Sequence, residues 1–71
     1  MKYFNGEFLN EQRKLAKFSA SDLVRELERL NVRTTVQSVY QWETGKTVPR
    51  LMVAITLAKI FNRRIVDFIM A

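Results

Sequence analysis

The chain reads as an all-α fold: five short helices, no strand, in a single domain over residues 1–71. Three observations carry this reading. Apolar residues recur at helical spacing, as in Leu23, Leu27 and Leu30. Residues with cap chemistry bracket the apolar runs. Only 2 Gly and 1 Pro are present, too few for the turns of an all-β protein.

After a lead-in over residues 1–5, Gly6 or Asn5 begins a first helix that runs to about Phe18. Leu9, Leu15, Ala16 and Phe18 supply its inner side, with Phe8 partly covering them. Ser19-Ala20-Ser21-Asp22 is a capping-box pattern with Asp in place of the usual Glu. It opens a second helix, SDLVRELERLN, in which Val24 joins the leucine stripe and Arg25, Glu26, Glu28 and Arg29 fill the outer face. Asn31 to Thr34 form the break. Thr35 then caps a third helix of about two and a half turns. Gly45 suits a left-handed exit and Pro49 bars further helix. A fourth helix starts near Pro49, with a broad apolar face of Met52, Ile55, Leu57, Ala58, Ile60 and Phe61, and Asn62 is its left-handed cap. A last short helix, IVDFIM, is mostly apolar.

Composition narrows the function. The chain has no Cys and no His, which removes disulfides, thiolate or imidazole metal sites and the commonest general base. No metal, cofactor or small-molecule substrate is expected, and no enzymatic activity: there is no phosphate-cradling glycine loop and no convergent carboxylate pair. No apolar run approaches a membrane span. The net charge of +5 points to a polyanionic partner, nucleic acid before anionic membrane.

The third helix says most about that partner. Val39, Trp42 and Glu43 share one face by spacing, and Gln37, Tyr40, Gln41 and Thr44 share the other. An outer face of amides and hydroxyls suits a DNA major groove, where Gln pairs bidentately with an adenine edge and Val36 meets a thymine methyl. Val36, Gln37, Tyr40 and Gln41 are the candidates for base contact; Tyr40 has the alternatives of reaching a phosphate or packing beside Arg33. Thr35, Lys46, Thr47, Arg50 and Arg33 are the candidates for phosphate contact, because caps and N–H groups at helix N-termini, flanked by cations, form anion sites. Lys14, Lys17, Arg25, Arg29, Arg63 and Arg64 read as surface charges.

Arg13, then FSASDLV, then VYQWETGKTVP, then LAKIFNRRIVDFI together resemble the Cro/C1-type, or XRE-like, helix-turn-helix family of phage and bacterial repressors. The resemblance covers Leu9 to Ile69, and Trp42-Glu43-Thr44-Gly45 with Pro49 beyond is its most specific part. It implies a compact lambda-repressor-like domain in which the second and third helices form the motif. It also implies a structural ion pair between Arg13 and Glu43. The chain departs from the family at Ala20, where Gln commonly binds a phosphate, and in a second-to-third helix connection about one turn longer than the minimal motif.

The expectation is therefore a sequence-specific regulator of double-stranded DNA, of phage or mobile-element repressor type, that occludes a promoter from the cytoplasm at the nucleoid. One such domain covers few base pairs, so a homodimer on an inverted repeat is expected. Phe68, Ile69 and Met70 are its candidate contacts, since the residues of the last helix cannot all face one small core. Two other readings stand beside this one. The chain is a module of a larger regulator or antitoxin, or it is a protein-interaction domain that reuses the fold.

Overall fold

The computed structural model describes residues 3–69. Four α-helices, α1 (Gly6–Leu15), α2 (Ala20–Arg29), α3 (Val36–Thr44) and α4 (Leu51–Ile60), precede one 3-10 turn at Ile65–Phe68. The described residues hold no strand, only an isolated antiparallel bridge between Phe4 and Ile69. The fifth element is thus a 3-10 turn rather than an α-helix. Arg64 N–H donates to the Asp67 carboxylate, and at Ile69 the chain is already extended.

Local chemistry starts the first three helices. The Asn5 side chain accepts from Phe8 N–H at the start of α1. Ser19 and Asp22 form a reciprocal capping box on α2, each accepting the other's backbone N–H at 3.0 and 2.8 Å. Thr35 Oγ accepts from Ser38 N–H at 3.1 Å on α3. At the other ends, Gly45 adopts φ 79° and Asn62 φ 54°, both left-handed.

α1 ends earlier than the sequence suggests. Lys17 takes φ 60°, and Phe18 N–H turns back to the Arg13 carbonyl at 3.0 Å. Leu15 is consequently 73% exposed and Ala16 is exposed, while Leu9 and Gln12 form the buried side. Leu15 follows Leu9 by six residues, which places it about 120° around the helix from the core-facing stripe.

The core joins Leu9, Leu23, Leu27, Val39, Trp42, Val53, Ala54, Leu57 and Phe68. In α4 the buried stripe is Val53, Ala54, Leu57 and Ala58, and Met52, expected inside, is 70% exposed. Phe68 is fully buried, with ring centroids 5.9 Å from Phe4, 4.9 Å from Phe8 and 6.5 Å from Phe61. It is a core residue and not a dimer contact, because the 3-10 turn and the Phe4–Ile69 bridge fold it inward. Ile69 is half-buried at that bridge, and Met70 lies outside the described residues.

Arg63 and Arg64 are exposed but not simply solvated. Arg63 Nε donates to the buried Gln12 Oε1 at 3.1 Å and its guanidinium lies over the Phe8 ring, while Arg64 pairs with Asp67. No described helix is long and apolar enough to cross a membrane.

Candidate nucleic-acid interface

α3 is held by one side and free on the other. Val39 and Trp42 are buried against α1 and α2. At its last turn, Glu43 is bound by α1. Arg13 Nε donates to Glu43 Oε2 at 2.6 Å, Arg13 Nη2 to Oε1 at 3.1 Å, and Asn10 Nδ2 to Oε1 at 2.9 Å. Arg13 Nη1 donates to the Phe18 carbonyl at 3.0 Å, which ties the same guanidinium to the α1–α2 turn. Both charged side chains are nearly buried, 11% exposed for Arg13 and 5% for Glu43. The hydrogen bond to Glu43 holds the Arg13 guanidinium above its ordinary pKa, against the opposing effect of burial. A buried pair of this kind is weak evidence for stability and good evidence for fixed geometry.

The backbones also approach closely here. A Cβ on Gly6 would collide with the Trp42 and Glu43 carbonyls, so glycine is required where α1 begins against the end of α3.

On the free side, Gln37 is exposed and Gln41 half-exposed, and neither amide makes a hydrogen bond within the described residues. Val36 is half-buried against the core edge. Tyr40 is 50% exposed and leans toward α1, with the Arg13 guanidinium 5.9 Å from its ring centroid. Its packing partner is therefore Arg13 and not Arg33. Thr44 spends its hydroxyl on the Tyr40 carbonyl at 3.0 Å.

The loop after α3 is well tied. The Gln41 carbonyl accepts from Lys46 N–H at 2.9 Å and from Thr47 N–H at 3.3 Å. Those two backbone donors are committed, so only the exposed side chains of Lys46 and Thr47 are open to a phosphate. α4 begins at Arg50 with no side-chain cap, leaving the first-turn N–H groups without that satisfaction. Arg50 shares a groove with Arg33, walled by Leu30, Val32, Met52 and Val53. Two of the expected phosphate-contacting cations therefore line one groove beside the α2–α3 turn. Thr35 Oγ, besides accepting from Ser38 N–H, lies 3.1 Å from Ser38 Oγ, within hydrogen-bond distance of that hydroxyl.

The cations of α2 are internally occupied. Arg25 pairs with Asp22 and Arg29 with Glu26, each three residues apart. Among the described residues no group of three His, Cys, Asp or Glu has metal-site geometry.

Asn10 and Gly6 are the site residues that sequence reasoning overlooks. The signal is present: Gly6, Asn10 and Arg13 stand at four- and three-residue intervals, on one face of α1.

Compared with known proteins, the chain matches the family pattern described as Helix-turn-helix over residues 9–68. No curated protein and no solved structure matches it significantly.

Proposed function

Because the chain belongs to the Cro/C1-type helix-turn-helix family, a family of DNA-binding transcription regulators, we propose that it is a repressor of phage or mobile-element type. It reads a specific double-stranded operator with α3 and blocks a promoter by occupying it. One observation carries this reading: the inner face of α3 is locked by Val39, Trp42 and Glu43, while the amides of Gln37 and Gln41 are left uncommitted on the outer face. A rigid helix with free bidentate groups is what base-edge readout needs.

In this reading Gln37, Gln41 and Val36 meet base edges, and Tyr40 lies at the rim of the contact beside α1. Lys46, Thr47, Arg50 and Arg33 meet phosphates through their side chains, and Thr35 serves as the helix cap. Three of these are cations, so each protomer neutralises about three phosphates, with a log–log salt slope of roughly −3 per protomer.

The protein works as a homodimer on an inverted repeat, since one reading helix spans too few base pairs for selectivity. With Phe68 in the core, the exposed apolar side chains Val48, Leu51 and Met52, in and just after the loop that follows α3, support the contact instead. They fall well short of the roughly 20–30 residues per side of a stable interface, so the dimer is weak in solution and completed on DNA. Met52→Glu with Leu51→Glu tests this by sedimentation with and without duplex: unchanged assembly on DNA rejects that surface.

The function is tested by selecting bound duplexes from a random pool at moderate salt. An enriched inverted repeat with half-sites about one helical turn apart is the expected result. Salt-sensitive binding with no enriched sequence rejects operator reading. Absence of any duplex binding would leave a protein-interaction role as the better account.

A further inference from the structure

One face of α1 grips the last turn of the reading helix at three successive positions. Gly6 abuts the Trp42 and Glu43 carbonyls, Asn10 donates to Glu43 Oε1, and Arg13 donates to both carboxylate oxygens. A carboxylate in the last turn of a helix sits at the negative end of its dipole and is disfavoured there unaided. Donors from α1 offset this. Arg13 alone would make a single pivot. Asn10, one turn earlier on α1, donates to the same Oε1 from a second direction, so the carboxylate is fixed between two residues of α1 and α3 cannot roll with the swing of a single side chain.

Roll matters because base contacts are far less forgiving than phosphate contacts. At a helix surface radius of about 5–6 Å, a roll of about 10–20° displaces the outward side chains by roughly 1–2 Å. A bidentate amide–base pair does not survive that, since its donors and acceptors must stay within about 2.7–3.2 Å. Long Lys and Arg side chains re-aim over the same distance and keep their phosphates.

We propose that Asn10 is a positioning residue for DNA readout: through Glu43 it sets the roll of α3, and so governs sequence discrimination without touching DNA. The proposal rests on the operator-reading function given above. It predicts that losing the Asn10 amide costs specificity and leaves general affinity in place.

The test uses the full chain and three variants: Asn10→Leu, which removes the donor while keeping the branched shape; Asn10→Asp, which sets a second carboxylate against Glu43; and Gln37→Ala as the direct-contact control. Each is measured against the selected operator and against a scrambled duplex of equal length, with a thermal melt alongside. The expected result is about a tenfold or larger loss of operator affinity in both Asn10 variants, with scrambled-duplex affinity within about twofold of wild type. Asn10→Asp should lose more than Asn10→Leu at neutral pH. Variants that melt cooperatively but lose affinity for both duplexes equally, or for neither, overturn the proposal. If Asn10→Asp unfolds, Asn10→Leu decides alone; if both unfold, Asn10 is structural and the proposal is overturned. A wild type that enriches no sequence removes the operator reading and Asn10's role with it, whereas an enriching wild type with indifferent Asn10 variants removes the Asn10 role only.

Discussion

Phe68→Ala separates a core role from an interface role for the C-terminal segment. The side chain has no exposed area and packs on three other phenyl rings. Truncating a fully buried Phe costs about 3–5 kcal/mol, from lost transfer energy and the cavity left behind. A domain of 71 residues is stable by roughly 4–10 kcal/mol. The variant therefore forfeits a third or more of its stability. With a urea m-value near 1 kcal/mol/M for so small a protein, the midpoint should fall by about 3 M or more. Phe68→Leu keeps most of the apolar bulk and should lose only about 1–2 kcal/mol. Urea titration followed by circular dichroism reads both. The variants should share one m-value while their midpoints rank wild type, Leu, Ala. A Phe68→Ala protein that melts like wild type but assembles less tightly would refute the core placement and return Phe68 to the dimer contact.

Three further outcomes follow from local geometry. Gly6→Ala should destabilise by about 1–3 kcal/mol, because the new methyl meets two backbone carbonyls that cannot swing away; a melt unchanged from wild type would mean that α1 and α3 are not so close. The Ser19 backbone and hydroxyl hydrogen bonds hold the Asp22 carboxyl below its usual range. Its cap therefore contributes fully above the ordinary carboxylate pKa of about 3.9 and is lost as pH falls through the lower folded value, so Asp22→Asn should flatten that acid limb of a pH–stability titration. Lys46→Ala should weaken operator and scrambled duplex alike and reduce the steepness of the salt dependence by about 0.9 per protomer; a sequence-selective loss would reassign Lys46 to base contact.

The caps are legible in sequence because they are decided within a few residues. Ser19 and Asp22, Thr35, Gly45 and Asn62 each act on neighbours one turn away, and each adopts the geometry its chemistry favours. Placing an apolar side chain inside or outside is another matter. Leu15 lies about 120° around α1 from the buried Leu9 and Met52 lies outside the buried stripe of α4, and both are exposed, because which stripe of each helix faces inward is set by partners far along the chain. Phe68 fails in the opposite direction. Ile65, Phe68, Ile69 and Met70 look like a surplus in the sequence, but a 3-10 turn and pairing of the chain with Phe4 bring the Phe68 ring into the core.

The site divides along the same line. The outward amides of Gln37 and Gln41 follow from helical spacing alone, since a face opposite Val39 and Trp42 must point away from the core. What aims those amides does not follow from α3. It depends on Asn10 and Gly6, which sit more than thirty positions before the Glu43 they meet and look like an ordinary polar residue and an ordinary helix start. A base-reading side chain needs placement to within a fraction of a hydrogen-bond length, and α3 has only 9 residues with which to define its own axis. So short a helix takes its orientation from its neighbours. That is why the Gly6, Asn10 and Arg13 face of α1 belongs to the reading apparatus as much as the glutamines do, and why substitutions there should alter which sequence is bound before they alter whether DNA is bound at all.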